Sequence, residues 1–474
     1  MSTYDVLLVN PSTVAERPHY ARTGNIFTPA EVVVRSFNPG LLSIASYLAS
    51  KGIEVKIVDL LDESDHSALV SHLQEDRPRI AGISCISGFS YPSALLAAEQ
   101  IKEAYPDTVV ALGGSHAGPL ASTIWHDTSH VDVVGLFEGE RVMLDLVERV
   151  KKHEPLAGIP GTVVGQDGML HINNSVPSID INELPLPHWS LYPHPERFVP
   201  YLEESRGCYG HCSFCMSNFQ YFGKLRAKSP ERFDEEVEHA HRIFGSDNTY
   251  ALLASTFGAE LGRTLAFIRS LNARNIRWTT EVRVDVPWES YLDEAAESGL
   301  TVLNASPESG SPEILLRIQK TSNPEKYLRK ASSLIKASAQ ISSMILKLNF
   351  LFYAGETAAT LKETLGFTFD HAASIRSVSF APLMVYPGTE TSRRLQQYRD
   401  QFGTEIIQDP YWNKLRIFPA HLSREFTFHD ISALCRILDK VFNTRDDFFR
   451  TMEYKYGTDS DRVRDAVIKA KFEE

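Results

Sequence analysis

The chain has 474 residues, is 43% hydrophobic and carries a formal net charge of −12. No apolar run approaches the roughly 18 residues of a membrane-spanning helix, and the acidic residues are spread along the chain, so we expect neither a membrane nor a nucleic acid as partner. The cysteine count is five, an odd number, and the N-terminus lacks the basic and apolar regions of a signal peptide. These features predict a cytoplasmic protein with roughly two to four buried cores.

Residues 1–150 alternate between short β-branched apolar runs and amphipathic stretches. This pattern predicts a doubly wound, mainly parallel, Rossmann-like α/β domain, whose ligands bind outside the carboxyl ends of the strands. Those ends carry Asn10, Ser84, Gly113, Gly114 and the FEGE segment of residues 137–140. No G-x-G-x-x-G follows the first strand, which disfavours an ordinary dinucleotide site. The long loop over residues 11–38 predicts a functional segment instead.

The rest of the chain predicts three further regions. Residues 151–200 are rich in proline and glycine and predict an ordered connector. Over residues 201–390, six strand-like segments alternate with helical ones, which predicts a partial (β/α)6 barrel of the TIM type. Residues 391–474 are polar with a helical pattern, so we expect a helical C-terminal region.

Three of the five cysteines, Cys208, Cys212 and Cys215, lie within eight positions in the loop after the first barrel strand. This spacing lets three thiolates meet at one iron–sulfur cluster, which normally takes four. One iron would then stay open for the amino and carboxylate groups of S-adenosylmethionine (SAM). A zinc site completed by His211 is an alternative, but that histidine lies inside the cysteine spacer, a poor position for closing a tetrahedron. An iron–sulfur electron carrier, a second alternative, needs no six-unit barrel.

The motif C-x3-C-x2-C, with Phe214 before its third cysteine, resembles that of the radical SAM superfamily. The segments NPGLLSIASYLASKG, GGSHA and VDVVGLFEGE resemble the N-terminal B12 (cobalamin)-binding domain of one large branch of that superfamily. The segments LNASPESGSPEILLRIQK, LNFLFYAGETAATLKET and PLMVYPGTE resemble the later barrel strands of the same branch. A photosensor or regulator with a B12-binding domain would need a DNA-binding module and a basic face, and neither is visible in the sequence.

The resemblance implies site residues for each cofactor. The three cysteines would hold a 4Fe–4S cluster. The residues implied near SAM are Glu308, Ser309, Gly355 and Glu356. The residues at the cofactor edge of the B12-type domain are Ser84, Gly113, Gly114, Glu138 and Gly139.

The sequence departs from the pattern of this branch at three places. It lacks the Asp-x-His-x-x-Gly segment that supplies a lower histidine ligand to cobalt. Phe137 stands where the branch has the first glycine of Gly-Glu-Gly-Glu, and its ring could fill volume that the corrin tail needs. Ser255 and Thr256 replace the paired aspartates that relatives commonly carry on the second barrel strand. Cobalamin is therefore a possible but disfavoured cofactor.

The resemblance implies that the cluster passes one electron to SAM, giving a 5′-deoxyadenosyl radical that abstracts hydrogen from a small substrate. The electron would come from flavodoxin, ferredoxin or a partner reductase. Because cobalamin is disfavoured, we favour radical dehydration of an aminosugar in antibiotic biosynthesis, as in the paromamine diol dehydratase of apramycin biosynthesis. A cobalamin-dependent C-methyltransferase is the alternative. Glu281 and Asp285 are the predicted catalytic carboxylates, and with Glu308 they favour an amine-bearing substrate.

Overall fold

The computed structural model describes residues 2–13, 38–61, 63, 66–166, 168–176, 179–217, 219, 223–444, 446–447 and 449–451. Most of the predicted functional loop at 11–38 therefore lies outside the described residues. The chain divides into two compact units. The first contains the described residues up to Phe198 and a later segment, Pro410–Ile417. The second comprises Val199–Asp409 and the residues from Phe418 onward. In the described part of the chain, no helix has the length and apolar character needed to cross a bilayer.

The first unit is a seven-stranded sheet with helices between its strands. The strands are β1 (Ser2–Asn10), β2 (Val55–Asp59), β3 (Asp76–Ser84), β4 (Val109–Gly113), β5 (Val133–Gly135), β6 (Thr162–Gln166) and β7 (Met169–Asn173). The helices of four or more residues are α1 (Pro39–Ser50), α2 (Ser67–Glu75), α3 (Tyr91–Ala104), α4 (Ile124–Asp127) and α5 (Gly139–Lys152). The strand order is β2-β1-β3-β4-β5-β6-β7, parallel from β2 to β5 and antiparallel beyond. The predicted Rossmann-like domain is confirmed.

Two segments from outside residues 1–150 complete this unit. The predicted connector at 151–200 supplies β6 and β7, which extend the sheet as an antiparallel hairpin. The second segment, Pro410–Ile417, is called the return segment here, because the chain comes back to the first unit after the barrel. Its Arg416 guanidinium pairs with the Asp127 carboxylate, and its Leu415 carbonyl accepts a hydrogen bond from His116 Nε2 at 3.0 Å.

The second unit is a partial barrel of six parallel strands in the order β15-β14-β13-β12-β11-β8, as the sequence predicts. The barrel strands are β8 (Tyr201–Glu203), β11 (Thr249–Leu253), β12 (Arg277–Val282), β13 (Leu300–Glu308), β14 (Ile345–Phe352) and β15 (Ser377–Pro382). The same unit contains five short strands in smaller sheets: β9 (Ser205–Arg206), β10 (Arg226–Ala227), β16 (Met384–Val385), β17 (Glu405–Ile406) and β18 (Phe418–His421). Its helices of four or more residues are α6 (Pro230–Phe244), α7 (Leu261–Asn272), α8 (Leu292–Glu297), α9 (Pro312–Arg317), α10 (Pro324–Ser338), α11 (Ala358–Asp370), α12 (Glu390–Arg393), α13 (Leu395–Phe402) and α14 (Phe428–Phe442). The helix Pro410–Leu415 belongs to the return segment.

Helix α14 covers the β15 edge of the barrel sheet. Just beyond its end, the Asn443 side chain accepts from Val378 N and donates to Val378 O, both at 2.9 Å. Asp439 accepts from Phe380 N at 3.4 Å. These side chains replace some of the backbone partners that a further strand would provide, so the middle of this edge is capped without another strand. The C-terminal region also contains two strands that the helical pattern did not predict: β17 and β18, which form a small antiparallel sheet with β16.

Candidate active site

The three clustered cysteines lie in the loop between β9 and β10. Cys212 is buried, whereas Cys208 and Cys215 are half-buried. Ser213, between them, anchors the loop to the barrel: its N–H donates to the Ile318 carbonyl at 2.9 Å and its hydroxyl lies 2.9 Å from the Tyr353 hydroxyl. The loop is therefore fixed at the carboxyl ends of the barrel strands, where barrels place their reacting groups.

The surroundings of these thiols fit sulfur that carries negative charge. The Gly210 N–H donates to Cys208 Sγ at 3.2 Å, and the Thr256 hydroxyl lies 3.2 Å from the same sulfur. Arg283 Nη1 donates to Cys212 Sγ at 3.7 Å. Burial raises the pKa of Cys212, while the charges of Lys320 and Arg283 act in the opposite direction. Hydrogen bonds and nearby cations of this kind suit thiolates bound to an iron–sulfur cluster.

The three thiols do not converge on one point. Among the described residues, no three His, Cys, Asp or Glu side chains lie close enough together to hold a single metal ion. A 4Fe–4S cluster does not require such convergence, because each cysteine binds a different iron.

Glu308 ends strand β13 in a left-handed conformation, with φ of +71°. The strand register shifts just before it, and the side chain is buried against Lys320, whose Nζ lies 2.9 Å from Glu308 Oε1. Burial alone would lower the pKa of Lys320, but the negative charge of Glu308, together with the charges of Tyr327 and Cys212, outweighs burial and the pKa is raised. The neighbouring Ser309 hydroxyl lies 2.9 Å from that of Thr364 and accepts from Ser311 N, so it serves the turn that follows the strand.

Gly355 and Glu356 follow strand β14. Gly355 has φ of +79°, and a Cβ there would lie 2.5 Å from Arg317 Nη1, so the close approach that needs glycine is made by a protein side chain. Glu356 is fully buried; its Oε2 accepts from the Thr360 hydroxyl at 2.5 Å, and its Oε1 has no hydrogen-bond partner among the described residues. Burial raises the pKa of Glu356 to about 7. The roles of both residues toward SAM stay predictions.

The inner face of the barrel is polar. On β14, buried Leu348, Phe350 and Phe352 alternate with accessible residues, and Phe350 contacts Phe367 of α11, so the accessible set faces the lumen. The polar accessible residues of the lumen include Glu281, Asn304, Ser306, Lys347 and Asn349, and the apolar Leu351 at the end of β14 lies on the same face.

Glu281 is accessible at the surface of this lumen and yet closely surrounded by protein. This desolvation raises its pKa, the charge of Lys347 acts in the opposite direction, and the charge of Glu308 adds to the increase. Such a combination is typical of a carboxyl group lining a deep cleft. Sequence reasoning singled out Glu281 but missed Lys347, which the period-2 pattern of β14 places on the lumen face.

Asp285, the other predicted catalytic carboxylate, is held by one arginine. Its two oxygens accept from Nε and Nη2 of Arg283, both at 2.9 Å. The carboxylates singled out in the sequence thus face cations: Asp285 pairs with Arg283, Glu308 pairs with Lys320, and Glu281 interacts with Lys347. The charge argument for an amine-bearing substrate loses its basis, because these cations offset the carboxylates. Arg283 and Lys320 are also functional candidates that sequence reasoning missed.

At the carboxyl edge of the first unit, part of the predicted cofactor surface is used internally. The Asn38 amide donates to Ser84 Oγ at 2.7 Å and to Asn10 Oδ1 at 3.2 Å, so Ser84 belongs to a buried network. A Cβ on Gly114 would lie 2.6 Å from the Cys85 carbonyl oxygen, and one on Gly139 would lie 2.5 Å from Ile44 Cδ1. Glu138 caps the N-terminus of α5 by position, without a side-chain hydrogen bond to the helix.

Gly113 and Gly135 leave an open surface at the ends of the adjacent strands β4 and β5. Among the described residues, a Cβ on Gly113 would meet nothing within 4 Å, and the nearest atom to a Cβ on Gly135 would be the Gly113 Cα at 3.9 Å. Phe137 is half-buried and packs against the apolar core of this unit. A surface without side chains suits a bulky planar cofactor, so the residues present fit cobalamin at this edge.

Comparison with known families now bears on this arrangement. Residues 29–147 match the B12 binding domain, and residues 203–368 match the radical SAM superfamily. The chain belongs to the radical SAM superfamily, in the branch with an N-terminal B12-binding domain. This membership favours the radical SAM interpretation over a zinc site, an electron carrier or a photosensor.

Two proteins with similar sequences are named as methyltransferases. An uncharacterized methyltransferase of Pyrococcus horikoshii is 26% identical over 407 residues, covering 84% of this chain and 85% of that protein. The cytidylyl-2-hydroxyethylphosphonate methyltransferase of Streptomyces wedmorensis is 25% identical over 390 residues, covering 68% of this chain and 70% of that protein.

Two solved structures share the fold of this radical SAM protein. The cobalamin-dependent SAM radical enzyme OxsB, with aqua-cobalamin and SAM bound, aligns with a TM-score of 0.75 and 17% identity, covering 98% of this chain and 70% of that one. The radical SAM methyltransferase TsrM of Kitasatospora setae, with cobalamin and a 4Fe–4S cluster bound, aligns with a TM-score of 0.68 and 15% identity, covering 86% and 78%.

Proposed function

We propose that this radical SAM enzyme is a cobalamin-dependent methyltransferase acting on a small polar substrate. The observation that carries the proposal is the open surface at Gly113 and Gly135, in a domain that matches the B12-binding family. The names of the similar proteins support it, since both relatives described above are methyltransferases. Cobalamin therefore becomes an expected cofactor, contrary to the expectation from the sequence.

The sequence-based preference for dehydration of an aminosugar rested on two arguments that the structure weakens, one for the reaction and one for the substrate. The first was that Phe137 fills cofactor volume, but its ring packs against the core of the first unit. The second was that Glu281, Asp285 and Glu308 favour an amine-bearing substrate, but Asp285 and Glu308 pair with Arg283 and Lys320. The relatives also favour methyl transfer.

The chain's own residues have distinct tasks in this proposal. When bound, the cluster and SAM supply the radical chemistry and cobalamin supplies the methyl group. Cys208, Cys212 and Cys215 would hold the cluster, and Glu308 with Lys320 would bind the charged end of SAM. Glu281 and Lys347 line the lumen, where they would orient polar groups of the substrate. An electron donor such as flavodoxin or ferredoxin stays a prediction.

The experiment is cofactor retention followed by turnover. Anaerobically reconstituted protein is mixed with hydroxocobalamin and passed over a gel-filtration column, and we expect the corrin absorption band to elute with the protein. The retained complex is then incubated with SAM, reductant and a panel of small polar compounds, both amine-bearing and neutral, and we expect mass spectrometry to show the gain of one methylene unit by at least one of them. Loss of the corrin on the column, or release of a deoxygenated product without cobalamin, would contradict the proposal.

A further inference from the structure

Arg283 is a buried arginine placed directly after strand β12, and it contacts the cysteine loop at three points. Its Nη1 donates to Cys212 Sγ at 3.7 Å. The same nitrogen lies 2.8 Å from where a Cβ on Gly210 would be, so a larger residue there would displace the guanidinium. The guanidinium carbon lies 5.5 Å from the centre of the Tyr209 ring. The loop between the first two cysteines is therefore packed around this one side chain.

The orientation of the guanidinium is fixed from the other side. Asp285 accepts from Nε and Nη2, each at 2.9 Å, in the two-point geometry that arginine forms with a carboxylate. Nη2 also donates to the Lys320 carbonyl oxygen at 2.7 Å. Because these bonds use Nε and Nη2, Nη1 is the nitrogen left to point at the sulfur.

A fixed cation and an N–H donor at a cluster thiolate have a definite electrostatic effect. Reduction of the cluster adds one negative charge, so a positive group beside a ligating sulfur stabilises the reduced form more than the oxidised one. A nearby carboxylate has the opposite effect. Both groups are partly shielded from water here, since the exposed fraction of the side chain is 8% for Arg283 and 30% for Asp285.

We propose that Arg283 is a positioning residue that holds the Cys212 thiolate and raises the reduction potential of the 4Fe–4S cluster, and that Asp285 aligns it and limits the increase. The pair would thereby set which electron donors can reduce the protein. The proposal rests on membership of the radical SAM superfamily and does not depend on methyl transfer or on cobalamin.

The test is a redox titration of the reconstituted, cobalamin-free protein without SAM, in which dithionite delivers the electron through mediators and the reduced cluster is followed by electron paramagnetic resonance. Arg283→Gln removes the charge and the Nη1 donor, so we expect a more negative midpoint potential. Asp285→Asn keeps the arginine but removes the opposing charge, so we expect a less negative potential. A general disturbance of the site would move both variants in the same direction, and opposite shifts therefore distinguish the proposal from a merely structural role.

The matched control is Arg269→Gln, which removes an exposed arginine of the same barrel that pairs with Glu294 at 3.0 Å. Its potential should equal that of the unaltered protein. Iron content is measured in every sample. If Arg283→Gln fails to load the cluster, Asp285→Asn still decides the question. Unchanged potentials, shifts of the same sign in both variants, or a shift in Arg269→Gln as large as that in Arg283→Gln would overturn the proposal.

Discussion

Lys320 Nζ lies 2.9 Å from Glu308 Oε1, and both side chains are buried at the carboxyl end of β13. Two charges removed from water stabilise one another only while both are present. The pair also brings a cation close to Cys212, which couples the strand end to the cysteine loop.

Breaking this pair from one side should destabilise the barrel. Lys320→Met leaves the Glu308 charge buried without a partner, and we expect a loss of about 3–5 kcal/mol in the free energy of unfolding. Urea unfolding of the apo protein measures this change in the free energy of unfolding. The control is Arg329→Gln, since the Arg329 and Glu325 side chains are exposed at 71% and 83% and their pair should contribute little. The double variant Lys320→Met/Glu308→Gln should recover part of the loss, and no recovery would contradict this explanation.

The cysteines should divide into two classes. Alanine at Cys208, Cys212 or Cys215 should abolish iron loading and formation of 5′-deoxyadenosine, because an incomplete set of thiolates loses the cluster. Cys85 and Cys435 are fully buried, and burial raises the pKa of Cys85 to about 12, as expected for a structural thiol. Alanine at either position should leave the iron content unchanged. Iron analysis of each variant and chromatography of 5′-deoxyadenosine test this division. Full activity in any of the first three variants would be incompatible with a cluster held by these cysteines.

Filling the open surface of the first unit should remove cobalamin without unfolding the protein. Gly113→Val adds a β-branched side chain to a strand at a place where a Cβ meets no atom of the described residues within 4 Å, so the fold should be kept. We expect at least a tenfold loss of corrin retention on gel filtration, with an unchanged circular dichroism spectrum. Gly366→Ala, at an equally open position on α11, is the matched control. Equal retention by both variants would place the cofactor elsewhere.

Glu356 should make stability depend on pH. Burial raises its pKa to about 7 from an ordinary 4.5, so the folded state binds the proton more tightly than the unfolded state. The resulting stability is fully present below the unfolded pKa and is lost as the pH rises through about 7, with a total of about 3 kcal/mol. Glu356→Gln should remove this part of the decline, measured by urea unfolding of the apo protein at about pH 5 and pH 8. Some decline should persist, because burial also raises the pKa of Glu204 to about 7. An unchanged decline in Glu356→Gln would contradict the assignment.

Local patterns in the sequence are enough to predict the fold class and the position of the cysteine loop. Alternation along β14 identifies both the core residues and the lumen position of Lys347, and the spacing of the three cysteines identifies the cluster loop. The sequence could not reveal that Arg283 reaches Cys212, because these residues are 71 positions apart and their contact depends on how two loops pack. Nor could it show that Phe137 packs against the core, since the direction of one side chain at a strand end is decided by its tertiary neighbours.

The return segment has a consequence for how the protein is made. The first unit includes Pro410–Ile417, whose Arg416 pairs with Asp127 and whose backbone meets His116. On the ribosome, a nascent first unit cannot form these contacts until the chain from Val199 to Asp409 has been synthesised and has left the exit tunnel. Domains generally fold in order from the N-terminus during synthesis. Here the first unit can reach its final form only after Pro410–Ile417 has been synthesised, so a fragment that ends before Pro410 would lack these contacts and should unfold more readily than the same unit in the full chain.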